Sequence, residues 1–219
     1  MKILLLGATG RTGIQFVQEA LKRGHTVSAI ARNPEKLKNF KIDITEGSPY
    51  DLKTMEKAIY GCDAVINTLN VSRKSDNPWA SLAAPKDLIS KSASNALIAM
   101  EKRGIKRFVA MSTIGAGRSW KKSPGILKFM VSASNLKFAF RDHGRQEGIL
   151  ENSSVDYTIC RAPMLSNKKY DGSAVATAEG VKLASRGLSR NSAAEFFIDI
   201  IEKNTHIRET ISISDKPAT

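Results

Sequence analysis

Hydrophobic residues run without interruption from Ile3 to Leu6 and meet glycine at Gly7, so Lys2 to Ala8 reads as a strand covered on both faces. From Thr12 to Arg23 the apolar residues Ile14, Val17, Ala20 and Leu21 recur at helical spacing, and Gly24 supplies the stop. The alternation repeats with a strand at Thr26 to Arg32, a short helix from Pro34, a strand at Lys41 to Glu46, a helix at Leu52 to Tyr60 and a strand at Ala64 to Leu69. Pro85 to Lys102 reads as a long helix with its lysines and serines facing out, and Arg107 to Thr113 as the next buried strand. Such an alternation predicts an α/β fold, a doubly wound parallel sheet with helices on both faces, because a right-handed crossover through a helix joins parallel strands.

Beyond Thr113 the pattern loosens. Residues 115–135 are rich in Gly, Ser and Lys and are expected to form a loop, a candidate lid. A helix is predicted from Leu136 to Glu151, then a strand from Tyr157 to Arg161 ended by Pro163. An irregular segment follows, of which 164–190 is expected to build part of a small substrate cap on one sheet. Asn191 or Ser192 is placed to cap a last helix reaching Glu202, with Phe197, Ile198 and Ile201 buried, and Thr210 to Ser214 alternates as a final strand. No repeat and no linker divides the chain, so 1–219 reads as one domain.

Composition narrows the function classes. At 42% hydrophobic and 25% charged the chain is globular, and its longest apolar runs are far too short to cross a bilayer. The N-terminal residues lack a secretory cleavage pattern, so a cytoplasmic location is expected. Cys62 and Cys160 have no CxxC spacing and no neighbouring histidine, which gives no metal site and suggests two buried small side chains. The net charge of +13 is spread, +8 over residues 1–110 and +5 over 111–219, which argues against a nucleic-acid partner. Its densest stretch holds Arg118, Lys121, Lys122, Lys128, Lys137, Arg141 and Arg145 against Asp142 alone, a basic surface or a rim that attracts anions.

The sharpest local signal is Gly7-Ala8-Thr9-Gly10-Arg11-Thr12-Gly13, between the first strand and the first helix. Gly7 allows a tight turn, Gly10 lets backbone approach a pyrophosphate, and Gly13 lets the helix pack on the strand, while the free amides of the helix start face the phosphates. At the end of the second strand, where an NAD site carries an acid, stands Arg32, whose guanidinium can pair with a 2′-phosphate. NADP(H) is therefore the expected cofactor, with Asn33 placed to help and Arg11 placed to cover the adenine or reach a phosphate. At later strand ends Ser48, Leu69, Asn70, Ser112 and Thr113 are positioned to meet the ligand.

These residues, with Ala31-Arg32-Asn33, Gly61-Cys62-Asp63-Ala64-Val65-Ile66, Met111-Ser112-Thr113, Asp142-His143-Gly144-Arg145 and Tyr157-Thr158-Ile159-Cys160-Arg161-Ala162-Pro163, resemble the NmrA-like atypical short-chain dehydrogenases, and among them the NADPH-dependent flavin reductases. The resemblance implies a Rossmann-type fold, NADPH along Thr9, Gly10, Arg11, Thr12, Arg32 and Ser112, and a shallow acceptor site over a nicotinamide bordered by Pro163. Two departures qualify the chemistry. None of Tyr50, Tyr60, Tyr157 and Tyr170 has a lysine four positions on, so the Tyr-x-x-x-Lys proton donor of carbonyl reduction is missing, and Pro163 is followed by Met164 where the flavin reductases have histidine.

The expected activity is hydride transfer from NADPH to a small-molecule planar acceptor such as a flavin or quinone, with Ser112 as the catalytic candidate; His143 is expected to brace the start of its helix. The alternative expectation is a nonenzymatic NADP(H) sensor that regulates a protein partner.

Overall fold

The computed structural model describes residues 1–168, 174–178 and 181–216. Its first five strands, β1 (Lys2–Leu6), β2 (Thr26–Ala31), β3 (Asp43–Glu46), β4 (Ala64–Asn67) and β5 (Arg107–Thr113), alternate with α1 (Arg11–Lys22), α2 (Leu52–Ala58) and α3 (Leu88–Arg103). A 3₁₀ turn at Pro34–Leu37 joins β2 to β3, with the Asn33 side chain accepting a hydrogen bond from the Glu35 amide at its start. The second half adds α4 (Gly125–Ser132), α5 (Leu136–Glu151), β6 (Asp156–Ala162), β7 (Met164–Ser166), β8 (Ala174–Thr177), β9 (Gly187–Ser189), α6 (Arg190–Glu202) and β10 (Glu209–Asp215). The main sheet has eight strands in the order β3-β2-β1-β4-β5-β6-β10-β8, parallel except that β8 runs antiparallel to β10 at the edge.

Alternation along β1 shows how the sheet is wrapped. Ile3 and Leu5 join one core with Phe16 of α1 and Phe197 of α6, whereas Leu4 and Leu6 join another with Met55 of α2, Met100 of α3 and Leu150 of α5. Each strand residue thus meets a helix on its own face, and burial of apolar surface on both sides is the main force holding the layers. Phe16 and Phe197 meet edge to face at 5.0 Å, and Arg23 at the end of α1 pairs with Glu19, Asp199 and Glu202, fastening α1 to α6.

Four expectations need correction. Residues 115–135 are not an open loop: they hold a 3₁₀ segment at Gly117–Lys122 and α4. The Gly, Ser and Lys content hides a helical pair, half-buried Leu127 and buried Val131, four residues apart. The described part of 164–190 does not make a separate cap, because β8 extends the main sheet and β7 pairs with β9 in a small parallel ribbon; positions 169–173 and 179–180 lie outside the described residues. Ser189, not Asn191 or Ser192, precedes α6, its amide and hydroxyl donating to Asp215 at 2.8 and 3.2 Å. On α3, Ser90 and Ser92 are buried, and Ser90 donates to the carboxylate of Asp142 on α5.

Candidate functional site

The order of β1 and β4 reverses the direction of winding, and the crevice beyond their carboxyl ends is where such sheets take ligands. Gly7 follows β1 with φ +88°, and a Cβ there would lie 2.9 Å from the Thr68 hydroxyl and 3.1 Å from the Leu69 amide, so the turn after β1 packs directly on the residues that follow β4. A Cβ on Gly13 would stand 2.1 Å from the carbonyl oxygen of Gly7. Helix α1 therefore rests on the backbone of the glycine turn, closer than any side chain permits. Gly10 begins α1 without a side-chain cap, and the first turn holds no acid. Its amides are the donors that a helix start leaves unused, beside the positive end of the helix dipole.

A cleft of about 390 Å³ opens here, lined by Gly7, Thr9, Ile30, Ala31, Arg32, Ser48, Leu69 and the segment Pro49-Tyr50-Asp51, with Pro85 and Leu88 at the start of α3. Five of the sequence-derived residues, Gly7, Thr9, Arg32, Ser48 and Leu69, meet in its wall, and Arg32 is exposed at its edge. Asp51 is its one lining carboxylate, and that group is committed: it accepts from the amide and hydroxyl of Thr54, both at 2.8 Å, which hold it below the usual carboxylate range. Asn33 caps the neighbouring turn, and Asn70 is exposed outside the cleft lining.

Arg11 and Thr12 occupy the mouth of the glycine turn in ways the sequence does not disclose. Arg11 makes a two-pronged pair with Asp76, at 3.0 and 2.8 Å, reaching across to the β4–α3 connection. Thr12 accepts a hydrogen bond at 3.2 Å from Nε of Arg190, the first residue of α6, while Nη1 of Arg190 donates to Asn167 at 2.7 Å. Burial first, and then the nearby charge of Arg11, lower the pKa of Arg190, against the opposing pull of Asp76. Arg190 is a residue that sequence reasoning missed, since it is brought 178 positions along the chain to Thr12.

On the far side of β5 the site changes character. Ser112 is 2% exposed and donates to Oε1 of Glu147 at 2.6 Å, and that carboxylate also receives Nε and Nη2 of Arg161 at 3.0 and 2.9 Å. The Ser112 hydroxyl is thus directed into a buried ion pair. Gly117, at φ +50°, lies over the same carboxylate, and a Cβ there would be 2.0 Å from Oε2. Asn67 donates to Gln146 at 2.6 Å, Gln146 donates to the Met111 carbonyl at 3.1 Å, and the Leu69 amide donates back to Asn67 at 3.0 Å, tying β4, β5 and α5 together. Thr113 and Pro163 are half-buried at the ends of β5 and β6. His143 lies in the middle of α5, not at its start, and desolvation pulls it down to about 4, against a hydrogen bond with the Met111 backbone.

Above this network lies a second cavity of about 520 Å³, walled by Gly115, Gly117, Trp120, Val131 and Ser132 and, from α5, by Lys137, Phe140, Arg141, Gly144 and Arg145. Trp120 and Phe140 meet edge to face at 6.4 Å. Three cations and no carboxylate line it, together with the two aromatic rings. Lys121, Lys122 and Lys128 of the basic stretch lie outside its lining. Among the described residues no group of three or more His, Cys, Asp or Glu could hold a metal ion, and no helix is long and apolar enough to cross a membrane. Cys62 and Cys160 are buried and free, and burial raises both thiols, Cys62 to about 11.

Residues 7–204 match the NAD(P)H-binding family. The photosystem II assembly factor Ycf39 of Synechocystis is 25% identical over 97% of the chain, which spans 62% of that relative's length. Among solved structures, ChuY, an anaerobillin reductase from Escherichia coli O157:H7, superposes with a TM-score of 0.80 at 20% identity over the whole of both chains. A short-chain dehydrogenase/reductase from Veillonella parvula in complex with NADP gives 0.77 at 18% identity, over 100% of this chain and 99% of that one. At these identities the structural likeness establishes the fold.

Proposed function

The chain belongs to the NAD(P)H-binding family, and from that premise we propose that it is an NADPH-dependent oxidoreductase that reduces a planar anionic acceptor, a flavin or a related conjugated ring system. The observation that carries this reading is the pairing of two differently built hollows beyond the carboxyl ends of the strands: a cleft beside the glycine turn ending at Arg32, and a cationic, aromatic-walled cavity beside α5. Gly7, Thr9, Gly10, Arg11, Thr12 and Gly13 receive the pyrophosphate, joined by Arg190. Arg32 pairs with the 2′-phosphate with Asn33 beside it, and Ser48, Leu69 and Asn70 flank the adenosine. Ser112, Thr113 and Pro163 border the nicotinamide.

When bound, NADPH supplies a hydride, and the acceptor's own heteroatoms take the accompanying proton from water. The protein's part is alignment and charge. That division suits this chain, since Ser112 is committed to Glu147 and Tyr-x-x-x-Lys is missing. Ser112 thus acts as a positioning residue that holds the end of β5, while Lys137, Arg141 and Arg145 attract the acceptor and Trp120 and Phe140 face its ring. The segment 115–135 covers that cavity as a helical lid.

NADPH oxidation by the purified protein, followed by absorbance against a panel of flavins, quinones and linear tetrapyrroles, tests the reading. Turnover with an anionic acceptor is expected, together with a preference for NADPH over NADH that Arg32→Ala removes. Tight NADPH binding without turnover of any acceptor would contradict it and favour the sensor of a protein partner, a role closer to the assembly factor among the relatives.

A further inference from the structure

Four of the large exposed apolar side chains, Trp79, Ile126, Phe129 and Met130, belong to α4 and the segment tied to its end. On α4, Ile126 is 80% exposed, Phe129 75% and Met130 43%, and spacings of three and four put them on one face. Trp79, 61% exposed, joins them, its indole Nε1 donating at 3.0 Å to the carbonyl of Ala133, which closes α4. Asn135 donates to the carbonyls of Trp79 and Ala80 at 3.0 and 3.1 Å, so the tryptophan is held in position. Val131 fills the opposite face. An exposed cluster of this kind marks a surface that meets something apolar.

The surrounding charge decides what fits. From Arg118 to Arg141 the chain has Arg118, Lys121, Lys122, Lys128, Lys137 and Arg141 and no carboxylate. Lys121 and Lys122 are exposed immediately before α4, and Lys128 within it donates to the carbonyl of Lys121 at 3.0 Å. A second copy of this chain would bring the same cations face to face on a molecule already at +13. We propose that the α4 face with Trp79 docks on an anionic lipid bilayer, Ile126, Phe129, Met130 and Trp79 entering the boundary between headgroups and acyl chains while Lys121, Lys122 and Lys128 meet lipid phosphates. The docking stands apart from the reductase reading. Where that reading also holds, the α4 segment that contributes Val131 and Ser132 to the cavity wall brings the cavity beside the lipid.

The test is cosedimentation of the full chain with vesicles of phosphatidylcholine mixed with phosphatidylglycerol, against phosphatidylcholine alone. Partitioning onto the anionic vesicles is expected, weakened at least about tenfold in the Ile126→Glu/Phe129→Glu variant. Lys121→Ala and Lys122→Ala are each expected to weaken it about fivefold. NADPH affinity, measured on the same samples, reports that each variant is folded and distinguishes failed docking from a failed cofactor site. Absence of binding to anionic vesicles, or binding that ignores the apolar substitutions, would overturn the proposal. So would a concentration-dependent dimer that Ile126→Glu/Phe129→Glu abolishes, which would assign the face to a second copy.

Discussion

The two hollows beyond the carboxyl ends of the strands are made by different means. The cleft beside β1 is shaped by backbone: Gly7, Gly10 and Gly13 lie within one turn and its helix, and what matters is the side chains they lack. The cavity beside α5 is walled by side chains of the single stretch 115–145, and the helix that carries several of them is braced from afar, Asn67 to Gln146 across 79 positions, Ser112 to Glu147 across 35, and Arg161 onto the same carboxylate. A backbone cradle serves one ligand class, whereas a wall of side chains on a braced helix can change its cargo without disturbing the cradle. Stability and specificity should therefore separate between the halves.

The largest effect is expected at the brace. Glu147→Ala takes away the carboxylate that both Ser112 and Arg161 face in a buried setting, and a loss of about 3–5 kcal/mol in urea unfolding is expected. A loss below about 1 kcal/mol would mean that the α5 side is not braced as described. Acid acts on the same half through His143. Its folded pKa of about 4 lies below the ordinary value of 6.5, so the unfolded chain binds the extra proton first and stability falls as pH drops through that window. Between about pH 7 and about pH 5 this amounts to about 2 kcal/mol, and His143→Gln should flatten the slope in pH-dependent thermal melts.

The cleft should answer in binding instead of stability. Arg32→Ala is expected to weaken NADPH about 10- to 100-fold by titration, to leave NADH unchanged and to leave the melting temperature unmoved, because the side chain is exposed. The smallest effect is expected at Asp76, which holds Arg11 in an exposed pair and whose carboxyl that guanidinium keeps below its usual range. Asp76→Asn should release Arg11 toward the pyrophosphate and tighten NADPH about twofold by calorimetry. A weaker affinity would show that Asp76 helps to place Arg11.

Legibility in the sequence follows the same division. The alternation of apolar runs with helical spacing places all six strands from β1 to β6 within a few residues, and the glycine turn and Arg32 are read from their position between strand and helix. These signals are local. Arg190 beside Thr12 is not legible, because nothing near position 190 reports a neighbour at the other end of the chain. Helix α4 is hidden by Lys128 and by outward-facing Ile126, Phe129 and Met130, which blur the inward pair Leu127 and Val131. The buried commitment of Ser112 depends on a glutamate and an arginine that the sequence shows as ordinary charges.

The separation of the two hollows is tested most directly by steady-state kinetics of an Arg141→Glu/Arg145→Glu variant, with FMN and an uncharged quinone as acceptors and NADPH affinity measured alongside. The expected result is a KM for FMN raised about tenfold or more, with the quinone KM and the NADPH Kd held within about twofold. An unchanged KM for FMN, or equal losses for both acceptors and for NADPH, would contradict the account.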